Sequence, residues 1–430
     1  MSEQIDLLIY NIGQLCTIPA HDNRPQRGYN LGDLGLLTEA GIAIHQGVIV
    51  DVGSSNALCE AYTAASMINA GGRLATPGLI DSHTHLVWAG DRADEFEQRL
   101  AGATYQEIME AGGGINRTVR ATRAAKLNTL IEQAKARLNR MLAHGSTTVE
   151  CKTGYGLNTA SEIMMLNAIA LLDMEHPIDV IPTFLGAHAI PPEFAHDPDA
   201  YVDLVIQEML PAVVAWRDEH WPDILFCDVF CEVGAFNLEQ TRRILEAAQA
   251  YGLELKVHVD EFETLGGARL AAEMGAISIE HVVKTPDEDI QAVAQSDTIA
   301  VALPPTPFGL AHTVYTPAAR FLEAGAALAI ATDCNPGTAW NENMQLVMAL
   351  ATRYMGLTPA QALAAATINA AFAVCRGEQV GSLEVGKLGD LVIWDVPSYQ
   401  HLSYRFGSNM AHTVIKHGRV AYTTQWGGGQ

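Results

Sequence analysis

Long apolar runs are missing from this sequence of 430 residues. No run approaches the ~20 residues that a bilayer-spanning helix needs. The opening segment MSEQIDLLIY also lacks a basic region followed by an apolar core, which a secretion signal would have. We therefore expect no membrane anchor and no secretion signal, and the predicted location is cytoplasmic.

Positive charge is scarce as well. The chain has 26 Lys and Arg residues against 49 Asp and Glu residues, which gives a formal net charge of −23. Such a charge repels a polyanion, and no basic cluster interleaved with aromatic residues is present to bind a phosphate backbone. The composition therefore argues against nucleic acid as a partner and is typical of a solvated, mutually repelling surface.

Paired cysteine spacings are also absent. The seven cysteines are scattered between Cys16 and Cys375, which is typical of reduced and mostly buried thiols. Cys227 and Cys231 are close enough in sequence to ligate one metal ion. They lie in an apolar, strand-like run with no second pair of ligands, unlike most zinc sites. We interpret them as core residues.

The chain shows two kinds of sequence pattern. Residues 1–75 and 380–430 consist of short apolar segments broken by turns, and we expect the two ends to form one composite β-sandwich domain. Residues 76–379 alternate strand-like and helix-like segments and are predicted to form the second domain. The strand candidates lie at residues 78–85, 147–152, 180–186, 225–232, 255–259, 276–280, 299–303 and 327–332.

Helix signals separate several of these strands. Asn237 is a predicted N-cap with Gln240 three residues later, and Pro286 opens an acid-rich first turn. Apolar residues with helical spacing run from Leu127 to Met141. Strand and helix alternating eight times predict an α/β fold of the (β/α)8 TIM-barrel type. A doubly wound open sheet is the alternative.

The segment LIDSHTHL, residues 79–86, runs an apolar stretch into two histidines separated by one residue. In a strand, residues i and i+2 point to the same face and lie about 6.7 Å apart. His83 and His85 can thus direct both imidazoles at one metal ion, with bonds of about 2.1 Å. Alone this pair is a weak signal, because polar residues are ordinary at strand ends.

Three further residues of ligand type follow other strand candidates. His258 lies in LKVHVDEF, His281 in ISIEHV and Asp333 in LAIATDCNPG. Packing alone favours apolar side chains at these positions. Because barrel enzymes carry their chemistry at the carboxyl ends of the strands, the set indicates a metal site there.

These residues resemble the amidohydrolase superfamily, through PGLIDSHTH, the later strand-end histidines and the TD after the last strand. The resemblance implies a metal-dependent hydrolase on a (β/α)8 barrel with a small β-sandwich built from both termini. Longer blocks resemble the imidazolonepropionase family of histidine degradation and span nearly the whole chain. They are HTHLVWAGDRADEFEQRLAGATYQEIMEAGGGI, ECKTGYGL, FLGAHAIPPE, HVDEF and ATDCNPGT.

The superfamily resemblance implies one metal ion per subunit, held by His83, His85, His258 and Asp333. Binuclear relatives add a carbamylated lysine at the end of the fourth strand, but the fourth strand here, LFCDVFCE, has no lysine. Lys152, after the second strand, is the one competitor. Three nitrogens and one carboxylate suit zinc, iron or manganese, and Zn2+ or Fe3+ is the expected cofactor.

The family resemblance implies hydrolysis of the cyclic amide of 4-imidazolone-5-propanoate to N-formimidoyl-L-glutamate, in a homodimer. A carboxylate within hydrogen-bond reach is needed to move the proton of the attacking water. Asp333 and Glu261, which follows His258 by three residues, are the candidates. His281 is expected to polarise the ring carbonyl or to stabilise the developing oxyanion.

The substrate's propanoate calls for a cation or several donors. An arginine fork matches a carboxylate in two hydrogen bonds, and Arg92 lies on the first loop of the barrel rim. The resemblance adds further substrate-binding positions, with Tyr105 as a weaker candidate. The predicted substrate residues are Arg92, Tyr155, His188, Glu261, Asn335, Gly337 and Thr338.

Two other functions fit parts of this pattern. One is another cyclic amidohydrolase or aminohydrolase of the superfamily, acting on a pyrimidine or triazine ring. Arg92, Tyr155 and NPGT argue against it, because they suit an acidic side chain on the substrate. The other is a catalytically silent barrel that serves as an assembly module. Such a protein would have no need for all four ligands and the acid.

Overall fold

The computed structural model describes residues 3–103, 107 and 112–424. Strands within these residues are numbered β1 to β16 in chain order. They are Glu3–Cys16, Leu36–His45, Val48–Ser54, Tyr62–Asn69, Leu74–Pro77, Leu79–Asp81, Ser146–Lys152, Asp179–Ala187, Phe226–Cys231, Glu254–Val259, Ser278–His281, Ile299–Ala302, Ala327–Ile330, Leu391–Trp394, Ala411–Lys416 and Arg419–Thr423.

The α-helices of the same residues are numbered α1 to α16. They are Ser55–Ala61, Ala93–Leu100, Ile115–Ala124, Leu127–Ala143, Thr159–Glu175, Pro198–Leu204, Leu210–His220, Leu238–Ala250, Gly267–Glu273, Asp287–Ala294, Pro305–Gly309, Ala318–Ala324, Met344–Tyr354, Pro359–Ala365, Ile368–Phe372 and Gln400–Tyr404. A π-helical turn, Val205–Met209, joins α6 to α7. No helix in the described part of the chain has the length and apolar character needed to cross a bilayer.

The barrel consists of β6 to β13, which form one parallel sheet in sequence order. Its two edges meet where Thr84 bridges Cys334 in parallel. Backbone hydrogen bonds of 3.1 Å from Asp333 N to His83 O and 2.9 Å from His85 N to Cys334 O complete the contact. The predicted (β/α)8 barrel is therefore confirmed, and the open sheet is excluded because both edges are bridged.

The first barrel strand is shorter than the predicted strand at 78–85. Regular pairing ends at Asp81, whose carboxylate accepts hydrogen bonds from Thr332 N and Oγ1 at 2.9 and 2.6 Å. Beyond it the chain remains anchored on both sides, since Thr84 O accepts from Lys152 N at 2.8 Å while Thr84 also bridges Cys334. The two histidines are thus held by the barrel seam rather than by a regular strand.

Helix signals in the sequence correspond to observed helix ends. Asn237 and Gln240 form a capping box at the start of α8. Pro286 is the N-cap residue of α10, whose first turn is acidic. Helix α4 ends at Ala143, and Gly145 follows it with a φ of +99° that suits glycine.

The two chain ends build one mixed sheet of eight strands, β1 to β5 and β14 to β16. The long strand β1 pairs antiparallel with β2 and parallel with β4 and β5. Strand β14 then pairs antiparallel with β5 and joins the carboxyl-terminal strands to the amino-terminal ones. The composite β domain was thus correctly predicted, whereas its exact boundaries at residues 75 and 380 stay predictions.

Lys416 links this terminal sheet to the barrel. Its Nζ lies 2.6 Å from Asp179 Oδ2 in β8 and 2.5 Å from Asp390 Oδ2 just before β14. Burial alone would lower the pKa of Lys416, but the two carboxylates outweigh it and raise that pKa. The link therefore stabilises the protein at neutral pH, and its contribution is lost as the pH rises through the raised pKa.

Replacing Lys416→Met is expected to lower the free energy of unfolding by about 3 to 5 kcal/mol, because it leaves a buried carboxylate without its cation. Lys135→Met is the matched control, since Lys135 forms an exposed pair with Glu175 at 3.2 Å and should lose at most about 1 kcal/mol. Chemical denaturation measures both variants. Equal losses would show that the interdomain link has no special weight.

Candidate active site

The four predicted metal ligands meet at the carboxyl end of the barrel. His83 and His85 follow β6, and His258 lies near the end of β10. One nitrogen from each of these three imidazoles lies within 4.8 Å of the other two. Asp333, three residues past β13, brings Oδ1 to 3.4 Å from His83 Nε2 and 3.5 Å from His85 Nε2. All four residues are buried.

The surroundings of His83 and His258 leave the Nε2 atom of each ring for a metal ion. His83 Nδ1 lies 2.6 Å from Glu280 Oε2, and His258 Nδ1 lies 2.9 Å from Asp228 Oδ2. Carboxylates at Nδ1 leave Nε2 as the ligating atom. Within the described residues, Nε2 of both imidazoles is buried without a protein hydrogen bond, and the Nδ1 atoms, although close to their carboxylates, do not meet hydrogen-bond geometry either. Buried polar atoms rarely remain so, and a bond to a metal ion accounts for them.

An ion network inside the barrel supports these carboxylates. Lys152 Nζ lies 2.6 Å from Glu150, 2.8 Å from Asp228 and 2.8 Å from Glu280. Lys256 Nζ lies 3.0 Å from the second oxygen of Glu280. All five side chains are fully buried. Because an unpaired buried charge costs several kcal/mol, each member of the network depends on the others.

Neither of the two rival ligand candidates, Lys152 and the cysteine pair Cys227 and Cys231, suits the role of a metal ligand here. Burial alone would lower the pKa of Lys152, but its three carboxylates raise it well above the usual range. Its amine therefore stays charged, whereas carbamylation needs a neutral amine. Burial raises the pKa of Cys231 to about 11 and also raises that of Cys227. Among the described residues, no cysteine joins a cluster of candidate ligands.

The candidate ligand imidazoles differ in their proton affinity. Burial lowers the pKa of His85 to about 4, so this ring is neutral at pH 7, as a metal ligand must be. Burial acts in the same direction on His83, but the Glu280 carboxylate outweighs it and raises the pKa to about 9. A metal ion must displace a proton from His83, so metal binding should weaken as the pH falls.

Glu261 and His281, the residues predicted to move protons, lie beside the ligands. His281 ends β11, and its Nε2 is 3.5 Å from Glu261 Oε2. Burial lowers the pKa of His281 well below its usual range, which keeps the ring neutral. Burial, with Asp333 and Glu232 nearby, raises the pKa of Glu261 well above its usual range. The second Asp333 oxygen accepts a hydrogen bond from Thr306 Oγ1.

The predicted substrate residues lie on separate loops around the carboxyl end of the barrel, which we call the mouth. His188 stacks on His85, with ring centroids 4.9 Å apart and planes at 13°. The Tyr155 ring lies 5.3 Å from His188. Arg92 precedes α2, donates from Nε to Glu95 Oε2 at 2.7 Å and has a side chain that is 12% exposed. Tyr105 lies outside the described residues.

The loop of residues 335–338 differs from the expectation in one respect. Asn335 Oδ1 accepts hydrogen bonds of 2.8 Å from the backbone N–H groups of Gly337 and Thr338. These donors are thus satisfied within the loop rather than directed into the mouth. A Cβ on Gly337 would clash with Arg92 Nη1. The arginine therefore packs directly against this glycine.

Backbone strain marks the same end of the barrel. Asp260, His281, Val282 and Asp333 have φ angles of +54°, +73°, +49° and +51°. Residues with a side chain rarely adopt such angles, and they persist where the surrounding structure fixes them. These positions follow or end β10, β11 and β13. His281 and Asp333 are therefore held by strained backbone, and Asp260, between His258 and Glu261, is strained as well.

Known proteins resemble this chain over nearly its whole length. A profile described as the amidohydrolase family matches residues 74–421. An imidazolonepropionase of Herpetosiphon aurantiacus is 53% identical over 98% of each chain. The chain belongs to the amidohydrolase family, among the imidazolonepropionases. A further imidazolonepropionase, from Geobacillus kaustophilus, is 49% identical over 96% of this chain and 97% of that one.

Solved structures share this amidohydrolase fold at low identity. An adenosine deaminase from Xanthomonas campestris with bound zinc has a TM-score of 0.72 at 19% identity and covers 99% of this chain and 95% of that one. Guanine deaminase of E. coli has a TM-score of 0.73 at 12% identity, with 97% and 99% covered. At these identities the likeness concerns the fold alone.

The sequence analysis of this amidohydrolase missed the carboxylates behind the candidate ligand histidines. Asp228 lies in β9 between two apolar residues, and Glu280 lies in β11 between Ile279 and His281. Charged residues inside strands that otherwise read as buried were the available signal. In ECK and LKVHV, Glu150 precedes Lys152 by two residues and Lys256 precedes His258 by two, which places each pair on one face. That pattern points to charges inside the barrel.

Replacing Asp228→Asn is expected to weaken metal binding by about 10- to 100-fold, because the imidazole of His258 loses the carboxylate that orients it. Competition with a chelator at constant pH measures the affinity. Asp223→Asn is the control, since Asp223 pairs with Arg376 at the opposite end of β9 and should leave metal affinity unchanged. An unchanged affinity in Asp228→Asn would reduce Asp228 to a partner of Lys152.

Proposed function

We propose that this protein is a metal-dependent cyclic amidohydrolase that converts 4-imidazolone-5-propanoate to N-formimidoyl-L-glutamate in histidine degradation. The observation that carries the proposal is the 53% identity to an imidazolonepropionase over 98% of each chain. The reaction adds one water across the bond between the ring carbonyl carbon and its nitrogen. The carbon becomes a carboxylate, and the nitrogen leaves with a proton as part of the formimidoyl group.

His83, His85, His258 and Asp333 are proposed to hold one Zn2+ or Fe3+ per subunit. The support is that Nε2 of His83 and of His258 is buried without a protein hydrogen bond, and that a carboxylate lies behind Nδ1 of each ring. Imidazole and carboxylate ligands suit zinc, iron and manganese. When bound, such an ion supplies Lewis acidity, which makes a water molecule nucleophilic near neutral pH.

Arg92 is proposed to bind the propanoate of the substrate. A guanidinium group offers two parallel N–H bonds to a carboxylate, and this one is largely shielded from solvent, which strengthens the pair. Tyr155 and His188 would border the imidazolone ring on the side of His85. Asn335, Gly337 and Thr338 would close the carboxylate end, with the shape of their loop mattering more than its inward N–H groups.

Glu261 is proposed to accept the proton of the attacking water, assisted by Asp333, and to pass it to the departing ring nitrogen. Burial raises the pKa of Glu261 well above its usual range, which supports a role in which the group both accepts and gives up a proton. His281 is proposed to donate its single N–H to the ring carbonyl. A neutral imidazole is suited to this task, and burial keeps the ring neutral.

The proposal extends to the cell and the assembly. We propose a cytoplasmic homodimer that acts on a small molecule and binds no nucleic acid. The net charge of −23 supports the last point. The family resemblance supports the dimer and the location.

Incubating zinc- or iron-loaded protein with freshly generated 4-imidazolone-5-propanoate is expected to remove the ultraviolet band of the substrate and to form N-formimidoyl-L-glutamate, identified by mass spectrometry. His258→Ala should lose more than about 100-fold in kcat/KM, beyond the loss of a supporting group. His220→Ala, at the exposed end of α7, is the control. No turnover by the loaded wild-type protein would reject this substrate and favour the aminohydrolase alternative.

Replacing Gly337→Ala is expected to raise KM by about 10-fold or more while changing kcat little, since the new methyl group displaces the Arg92 guanidinium. The far end of a flexible side chain gives way, so the fold should survive. Gly53→Ala is the matched control, because a Cβ at Gly53 would have no other atom within 4 Å. An unchanged KM would mean that Arg92 does not hold the propanoate.

A further inference from the structure

Glu95 is a buried carboxylate that the proposed reaction leaves without a role. It lies in the first turn of α2, three residues after Arg92, and is 4% exposed. Its Oε2 accepts the hydrogen bond from Arg92 Nε at 2.7 Å. Both of its oxygens lie 3.2 Å from the backbone nitrogen of Gly114. A carboxylate buried in this way holds its partners in fixed geometry.

Gly114 reaches Glu95 through an unusual backbone conformation. Its φ and ψ are +67° and −152°, and it is the N-cap residue of α3. Only glycine adopts this region readily. Glycine at position 114 therefore allows the backbone N–H to point at Glu95. Glu95 thereby joins the start of α2 to the start of α3, and Arg92 is fastened to that junction.

This bond also determines which edge of the guanidinium remains available. Within the described residues, the Arg92 side chain makes no other hydrogen bond, and its Nη1 packs against Gly337. With Nε engaged, the edge that carries the two terminal amino groups is left for a ligand. Two parallel N–H bonds from one edge are the geometry by which arginine recognises a carboxylate.

We infer that Glu95 is the positioning residue that makes this site selective for a substrate with a carboxylate arm. The inference rests on the proposed function. Glu95 fixes the plane of the Arg92 guanidinium, so that both terminal amino groups meet the carboxylate together. Arg117 Nη1, 3.6 Å from Glu95 Oε1, shares the negative charge, which limits the repulsion that Glu95 exerts on an incoming carboxylate.

Orientation and charge predict opposite results when Glu95 is replaced. If Glu95 only tempers the positive charge of Arg92, its removal strengthens the attraction of any anion. If it fixes the guanidinium plane, its removal weakens binding of the carboxylate and leaves an uncharged analogue almost unaffected. The ratio of the affinities for an acid and its amide therefore separates the two roles.

The experiment measures binding of imidazole-4-propanoate and imidazole-4-propanamide to the zinc-loaded protein by calorimetry. In wild type the acid should bind more tightly than the amide. Glu95→Ala should lower this acid-to-amide ratio by about 10-fold or more, as expected for a lost bond to a charged group. Glu95→Gln retains one acceptor for Arg92 and should lower the ratio less. It also decides the question if the alanine variant does not fold.

Asp94→Asn is the matched control. Asp94 is the neighbouring acid of the same helical turn, but it is exposed and pairs with Arg117 at 2.7 and 2.8 Å rather than with Arg92. Its replacement should leave the acid-to-amide ratio unchanged. In an Arg92→Ala background, Glu95→Ala should have no further effect on the ratio, because the group that it positions is gone.

A ratio that stays constant or rises in both Glu95 variants would overturn the inference. An equal loss for acid and amide would do the same, since it indicates a purely structural role. Turnover of 4-imidazolone-5-propanoate by wild type is measured alongside and tests the proposed function separately. The binding ratios remain decisive for Glu95 even if that turnover is absent.

Discussion

Paired burial of opposite charges inside the barrel is the constraint on which the site depends. Strands β7, β9, β10 and β11 each place a charged side chain where barrels usually place apolar ones. The cost of removing these charges from water is met only while every partner is present. Two of the three carboxylates that neutralise Lys152, Asp228 and Glu280, also lie against the Nδ1 atoms of two candidate ligand imidazoles. The same carboxylates therefore determine both the charge balance of the barrel interior and the orientation of the imidazoles at its carboxyl end.

At the mouth of the barrel, ionisable groups that lie a few ångströms apart have pKa values shifted in opposite directions. His85 and His281 are kept neutral by burial, whereas Glu280 raises the pKa of His83. Glu261 has a raised pKa and Asp333 a lowered one, although both are buried carboxyl groups. Neighbouring groups with pKa values pushed apart in this way are typical of sites that use one as a ligand and another as an acid or base.

The sequence predicted those parts of the molecule that depend on local signals. Eight strand candidates and the capping box at Asn237 follow from periodicity and residue type along the chain, and residue type also placed the candidate ligands at the strand ends. The rest depends on contacts that no spacing specifies. The choice between the two nitrogens of His83 depends on Glu280 in another strand, and Arg92 is fixed by a glutamate that also binds Gly114. The sequence also did not show that the backbone N–H of Gly337 bonds to Asn335 Oδ1 within the loop. Hydrogen bonds within a turn compete with bonds to a ligand.

The terminal sheet has a consequence for how the chain is made. Strand β5 receives its partner β14 only after about 300 further residues have been synthesised, which takes a ribosome roughly 15 to 60 s. Throughout that interval the edge of β5 that later receives β14 is open to water and to other nascent chains. A chain that ends before β14 would have all eight barrel strands but an unpaired, aggregation-prone edge at β5. Such a product is expected to be a target of cellular quality control.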